Sequence, residues 1–217
     1  MVSVPALLAF LPVAALIVVA PGPSVLFAVG RSLSGGLRSG LRTVVGNGVG
    51  LLLQVVVIAL GLGALLARAG WGLTVLRVAG GAYLVWLGLV ALRRTRSHGG
   101  ARPAPHLSRR RQHGRAPSDL LAGFVVGVTN PKTLVFLTAL LPQFVVPGRA
   151  ATGQVLLLGT VFVLLAVAGD SLWAAGAARA GRTVARTPAL VRRVEATGAV
   201  ALLGLGTWTL VSGTRSR

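Results

Sequence analysis

Two short proline-containing segments interrupt apolar stretches at matching places in the two halves of the chain. The first, APGPSVLF, covers residues 20–27, and the second, TNPKTLVF, covers residues 129–136. Proline removes a backbone donor and leaves carbonyl groups that lipid cannot satisfy. Such backbone is tolerated where it is buried in protein or lines a cavity, so a matched pair of breaks indicates a transport site between two repeats.

The second break carries the only lysine of the chain. Lys132 follows Pro131 about a dozen residues into an apolar stretch, too deep for its side chain to reach the membrane interface easily. Its candidate partners are Asp170, carbonyl groups freed at the break, or the carboxylate of a substrate. Helix rise places Lys132 and Asp170 about 8 Å apart in depth, a gap that a tilted helix and a long side chain can close. Asn130 adds an amide, and its alternative role is to cap the half-helix that begins at Pro131.

Asp170 differs from the other two acidic residues. Asp119 begins an apolar stretch, where it can cap a helix and favour its N-terminal dipole, and Glu195 lies beside two arginines. Asp170 lies inside AVAGDSLW and has no basic neighbour in sequence before Arg179. An acid within a membrane span is a functional candidate, here for proton coupling. The alternative is a hydrated position near the cytoplasmic interface.

Other polar groups near the breaks could contact a ligand. The half-helices that begin after Pro21 and Pro131 present backbone amides and a positive dipole end, which suit a carboxylate. Asn47 lies between Gly46 and Gly50, a spacing that favours close helix packing over ligand contact. Gln54 is a further uncharged group that could line a path.

The composition indicates a polytopic membrane protein. Of the 217 residues, 54% are hydrophobic and only 12% are charged, whereas a soluble domain has about 25% charged residues. The net charge of +19 comes from arginines that fall between apolar runs, as topology signals do, which argues against a nucleic-acid partner. The chain has no cysteine, so disulfides and cysteine metal sites are excluded. No cofactor or metal site is predicted.

Six apolar stretches are predicted to span the membrane. They cover approximately Val4–Gly30, Thr43–Leu66, Leu73–Leu92, Leu120–Leu141, Gly153–Ala177 and Val194–Val211. Sixteen arginines fall in the gaps after spans one, three and five, and five fall on the other side. The positive-inside rule therefore predicts that both termini lie outside.

The two halves are predicted to form one all-α transporter domain of two inverted three-helix repeats, with proline breaks in the first and fourth helices. Repeat one covers residues 1–92, an Arg-rich cytoplasmic linker covers 93–118, and repeat two covers 119–217. Each half has an odd number of spans, so the halves insert with opposite orientation. The linker is predicted to touch anionic lipid head groups, and its histidines are interpreted as solvated rather than metal-binding: His98, His106 and His113. The first break could lie nearer the cytoplasmic face than the second, because the first span is long.

The chain resembles the LysE/RhtB family of amino-acid exporters. The similarity rests on PGPSVLFAVGRSLSGGLRSGL with its glycine-rich second span, on GGAYLVWLG, and on GFVVGVTNPKTLVFLTALLPQF. It extends over the whole chain apart from the linker, which is longer and richer in arginine than the family pattern. The resemblance implies a bacterial inner-membrane protein that exports amino acids with the proton gradient. It assigns the motif positions to Pro21, Gly22, Pro23, Asn130, Pro131 and Lys132.

The sequence therefore predicts a non-enzymatic secondary transporter that exports amino acids or their derivatives by alternating access. Lys132 would face the substrate carboxylate, with the breaks and Asn47 as further contacts, and Asp170 would face the amine or carry the coupling proton. A cation or metal exporter of a related family is the alternative, although a divalent ion needs several ligands. A membrane enzyme would need an acid–base or nucleophilic group set that the spans lack. Small-residue stripes favour a homodimer.

Overall fold

A computed structural model describes residues 2–68, 72–97, 116–146 and 150–185, together with residues 196, 199–200, 203–204 and 206–211. All regular structure within these residues is helical, which confirms the all-α prediction. Three helices are long and apolar enough to cross a membrane: Pro23–Gly61, Ser118–Phe144 and Ala151–Arg179. Shorter apolar helices cover Val4–Val19 and Val78–Val90. The chain is thus a multi-pass membrane protein, and the count of six spans stays a prediction.

Six α-helices can be followed along the described residues. They are α1 (Val4–Val19), α2 (Pro23–Arg68), α3 (Gly72–Ser97), α4 (Ala116–Val128), α5 (Pro131–Val135) and α6 (Ala151–Ala185). A π-helical turn (Phe136–Leu140) and a 3₁₀ turn (Leu141–Phe144) continue α5, and residues 206–211 are also helical. Helices α3 and α4 enter the predicted linker from both ends, and its central residues 98–115, with all three histidines, lie outside the described residues, as does Glu195.

The first proline break separates α1 from α2. Ala20 ends α1 in an extended conformation with φ −64° and ψ 113°, and its N–H still bonds to the carbonyl of Leu16. Pro21 and Pro23 have no N–H to donate, and Pro23 begins the next helix because its φ is already helical. The first predicted span is therefore broken, as expected from its prolines.

Gly36 reverses the chain within α2. Its φ of 79° and ψ of 175° are conformations that L side chains rarely adopt. A Cβ added to Gly40 would lie 3.0 Å from the Cβ of Ser32, although a straight helix separates residues eight apart by about 12 Å. Helix α2 therefore consists of two arms, residues 23–35 and 37–68. The turn lies inside the predicted gap between the first two spans, which contains Arg31, Arg38 and Arg42, and a single glycine makes it.

The second break lies between α4 and α5. Asn130 is extended, with φ −71° and ψ 105°, and its side-chain oxygen accepts from the N–H of Lys132 at 3.1 Å. This confirms the predicted capping role of Asn130 at the half-helix that begins at Pro131. The start of α5 follows from local residues, because the cap and the proline are adjacent in sequence.

Helices α2 and α4 approach so closely that only glycine fits at the crossing. The pairs Gly46/Gly50 and Gly123/Gly127 face each other's backbone. An added Cβ on each would collide with the carbonyl oxygens of Leu120, Phe124, Thr43 and Asn47, respectively. The packing role predicted for Gly46 and Gly50 is confirmed. Its partner motif on α4 was not predicted, although its small-xxx-small spacing is readable in the sequence.

Gly50→Ala is expected to lower the free energy of unfolding by about 2 kcal/mol, because the new methyl group meets backbone atoms that cannot rotate away. Gly61→Ala is the matched control on the same helix. Nothing lies within 4 Å of its added Cβ, and alanine favours a helix by about 1 kcal/mol over glycine. Thermal unfolding in detergent measures both. Equal midpoints for the two variants would contradict the close crossing.

A cluster of aromatic rings packs beneath the second break. Phe136 lies 5.9 Å from Phe10 of α1 and 4.5 Å from Phe162 of α6 between ring centroids. Each of the three residues is at most 2% exposed. Buried ring pairs of this kind contribute beyond their apolar area, so α1, α6 and the π-helical turn are held together here.

Candidate functional site

The two proline breaks lie against one another and form a single junction, which we call the break junction (residues 20–24 and 128–132). The Lys132 ammonium donates a hydrogen bond to the carbonyl oxygen of Ala20, the last residue before the first break. The Lys132 stem covers Gly22, where an added Cβ would lie 3.1 Å from its Cδ. A freed carbonyl is thus one partner of Lys132, as the sequence allowed. The sequence allowed the first break to lie nearer the cytoplasmic face than the second. In the structure the two breaks are in direct contact.

Asn130 connects the two breaks. While its side-chain oxygen caps α5, its amide nitrogen donates to the hydroxyl of Ser24 at 3.4 Å. Asn130 is 3% exposed, so both contacts are sheltered from solvent. Neither half of the junction can shift without disturbing the other.

Gln54 supplies the donor that the second break lacks. In a continuous helix the carbonyl of Val128 would accept from the N–H of Lys132, but Asn130 takes that N–H. The Gln54 amide nitrogen instead donates to the carbonyl of Val128 at 2.7 Å and to that of Asn130 at 3.4 Å. Gln54 therefore stabilises the broken backbone from α2, a role that its position in the sequence did not indicate.

Asp170 lies in α6 and is 4% exposed. Its Oδ2 accepts from the Asn47 amide nitrogen at 3.0 Å, which joins α6 to the second arm of α2. The Lys132 ammonium and the Asp170 carboxylate lie within electrostatic range of each other. They form no direct ion pair in the part of the chain that the structure describes. A positive and a negative group thus interact electrostatically near the junction without a direct contact between them.

A second buried acid forms an ion pair that sequence reasoning missed. Asp119 is fully buried in the first turn of α4 and contacts the guanidinium of Arg31, on the first arm of α2. Its predicted role at the helix start is half right: it lies near the helix N-terminus, but α4 begins at Ala116, so Asp119 is not the cap. No local pattern could have paired two residues so far apart in sequence. The pair adds an electrostatic link between the helices that carry the two breaks.

An apolar groove of about 350 Å³ lies between the first arm of α2 and α4, and none of its lining residues belongs to the break junction. It is lined by Phe27, Ser118, Leu121, Ala122, Val125 and Val126. With almost no polar surface it suits a lipid chain better than an amino acid.

The predicted site residues thus have distinct surroundings. Pro21, Gly22 and Pro23 form one side of the junction, and Asn130, Pro131 and Lys132 form the other. Asn47 and Asp170 are paired and within reach of the Lys132 charge. Among the described residues, no group of three His, Cys, Asp or Glu side chains could hold a metal ion. The arrangement combines one ammonium, one carboxylate and several amides, which suits a small molecule that carries both charges.

Comparison with known proteins gives one consistent result. Residues 15–213 match the family of LysE type translocators. An "uncharacterized membrane protein" of Vibrio cholerae serotype O1 is 33% identical over 92% of this chain and 93% of its own length. A homoserine/homoserine lactone efflux protein of Salmonella typhimurium is 32% identical over 72% of this chain and 73% of its own length. A threonine efflux protein of Salmonella typhi is 29% identical over 58% of this chain and 59% of its own length. No solved structure matches significantly.

The matched region contains both breaks, the α2–α4 crossing and the Asn47–Asp170 pair. The resemblance noted in the sequence is therefore confirmed over nearly the whole length. This multi-pass membrane transporter belongs to the family of LysE type translocators.

Proposed function

We propose that this chain exports neutral amino acids with polar side chains and binds each substrate as a zwitterion at the break junction. The observation that carries the proposal is the buried pair of opposite charges, Lys132 and Asp170, held apart at the meeting point of the two breaks. Relatives named for the efflux of homoserine and threonine support this substrate class. A basic amino acid would bring a second positive charge for which the described part of the junction offers no second acid.

In this proposal the substrate carboxylate contacts the Lys132 ammonium and the amides at the start of α5. The substrate ammonium contacts Asp170 and Asn47. The carboxylate replaces the carbonyl of Ala20 as the partner of Lys132, which frees the end of α1. Because that contact is one of those that hold the two breaks together, substrate binding is coupled to their relative movement, as alternating access requires.

Proton coupling is assigned to Asp170. It is the acid that lies within electrostatic range of Lys132, whereas Asp119 is already paired with Arg31. Protonation removes the charge that attracts the substrate ammonium. A proton arriving from outside would therefore release the substrate, and proton release to the cytoplasm would restore binding.

We further propose six spans in two inverted repeats, residues 1–92 and 119–217, with residues 93–118 as the linker. Two of the observed contacts support this arrangement, because they agree with an exchange of the two halves. The α2–α4 contact corresponds to α6–α1, where Gly169 meets Val18, and α3 packs on the residues that would form span six, with Gly81 against Gly206. The inner membrane, both termini outside, lipid contact by the linker and a homodimer complete the proposal.

Counterflow tests the proposed function. The full chain is reconstituted into proteoliposomes that are loaded with unlabelled homoserine, and uptake of labelled homoserine is followed, with empty liposomes as the blank. Labelled homoserine and threonine should accumulate transiently, whereas lysine should not. Exchange of a divalent cation without exchange of any amino acid would overturn the proposal and favour the alternative of a cation exporter.

A further inference from the structure

Two side-chain amides of α2 are buried, and each has an acceptor oxygen that the described residues leave without a donor. Asn47 is 3% exposed and Gln54 is 7% exposed. In the part of the chain that the structure describes, no hydrogen-bond donor reaches Asn47 Oδ1 or Gln54 Oε1. Buried acceptors are normally paired, and leaving one unpaired costs about 1–3 kcal/mol.

The chemistry of the partners determines which way both amides face. The Asn47 partner is a carboxylate oxygen, and the Gln54 partners are two backbone carbonyl oxygens. An ionised carboxylate and backbone carbonyls only accept, so each amide turns its NH₂ toward them while Asp170 is ionised. The amide oxygens consequently point elsewhere, and rotating either amide would put oxygen against oxygen.

The two residues share one face of the helix. They are seven residues apart, which is nearly two full turns and a rise of about 10 Å. The Asn47 amide lies against Asp170, and the Gln54 amide lies at the carbonyls of the second break, Val128 and Asn130. Between an ammonium and a terminal hydroxyl, an extended four-carbon amino acid spans about half that distance, and one hydrogen bond at each end covers the rest.

We propose that Gln54 is a specificity-determining residue, whose Oε1 accepts the side-chain hydroxyl of the substrate while Asn47 Oδ1 accepts from the substrate ammonium. This inference rests on the proposed function and deepens it, since it identifies the substrate as a hydroxylated amino acid. Selection follows from the polarity of the site: a substrate without a donor leaves Gln54 Oε1 buried and unpaired. Sites built to hydrogen-bond a hydroxyl reject analogues that lack it.

The test compares three ligands on the purified full chain by calorimetry or counterflow. They are homoserine, 2-aminobutyrate, in which hydrogen replaces the hydroxyl, and 2-amino-4-fluorobutyrate, in which fluorine replaces it. Homoserine should bind at least about tenfold tighter than both analogues, because only homoserine donates. Equal binding of homoserine and the fluoro analogue would overturn the inference.

Gln54→Met removes the acceptor at nearly constant volume and should bring the preference for homoserine over 2-aminobutyrate close to one. If Gln54 had only a structural role, Gln54→Met would weaken the binding of both ligands equally and leave the ratio of their affinities unchanged. That result would also overturn the inference. Gln143→Met is the control, because the Gln143 amide bonds to its own backbone at Ala139. If Gln54→Met does not fold, the comparison of the three ligands on the unchanged chain still decides. Failure of all three ligands to bind would instead overturn the proposed function.

Discussion

Lys132→Met is expected to reduce export about 100-fold. Methionine keeps the length of the side chain, so the stem still covers Gly22. It removes the charge that would bind the substrate carboxylate, and a charge-assisted hydrogen bond in a buried site contributes about 1.5–3 kcal/mol. The initial rate of homoserine export from reconstituted vesicles measures the loss.

Lys132→Met should still fold, with a stability close to that of the unchanged chain. Burying an ammonium is costly, and an apolar side chain of similar volume often replaces a buried charge without loss of stability. Thermal unfolding of the variant in detergent should therefore stay close to that of the unchanged chain. Thr138→Val is the control beyond the break, since the Thr138 hydroxyl bonds to the carbonyls of Leu134 and Val135 in the preceding turn. Export at the unchanged rate by Lys132→Met would exclude Lys132 from the substrate site.

Asp170→Asn is expected to abolish the stimulation of export by a pH gradient while leaving substrate exchange. The asparagine oxygen can still accept from Asn47, so the link between α2 and α6 is kept. The side chain can no longer bind and release a proton. Counterflow, which needs no net proton movement, should continue with weaker affinity, because the substrate ammonium loses its opposite charge.

Two assays on the same vesicles separate these effects. Net export is measured with and without an imposed pH gradient, and a protonophore removes the gradient as the internal control. Counterflow is measured at equal pH on both sides. Full stimulation of Asp170→Asn by the gradient would remove the proton role from Asp170, and loss of counterflow together with net export would indicate a binding role alone.

Much of the fold could be predicted because its signals are local. The breaks follow from prolines that have no N–H, and the Asn130 cap follows from its position before Pro131. The close packing of α2 against another helix follows from Gly46 and Gly50. Two glycines four residues apart leave one face of the helix without side chains, which lets a second helix pack closely there. Each conclusion needed only residues within one or two helical turns.

The turn at Gly36 lies in the predicted gap between the first two spans, but local reasoning did not identify the residue that makes it. The arginines around it indicated a polar gap, but charge patterns locate the membrane boundary rather than the end of a helix. The conformation at Gly36, with φ 79°, lets two helical arms meet with no loop at all. Glycine alone permits this turn, yet the neighbouring Gly35 does not adopt it, so the sequence could not single out the residue.

The sequence by itself determined that the chain spans a membrane and that two matched proline breaks interrupt it, and it predicted that Lys132 and Asp170, both buried in the structure, have a functional role. Only the tertiary structure decided which groups meet: the Ala20 carbonyl with Lys132, Asn47 with Asp170, Gln54 with the second break, and Arg31 with Asp119. The physical reason is that the sequence of a break shows only which backbone groups lose their hydrogen-bond partners within the helix. The replacement partners come from helices packed alongside, and their identity depends on how all the helices pack together.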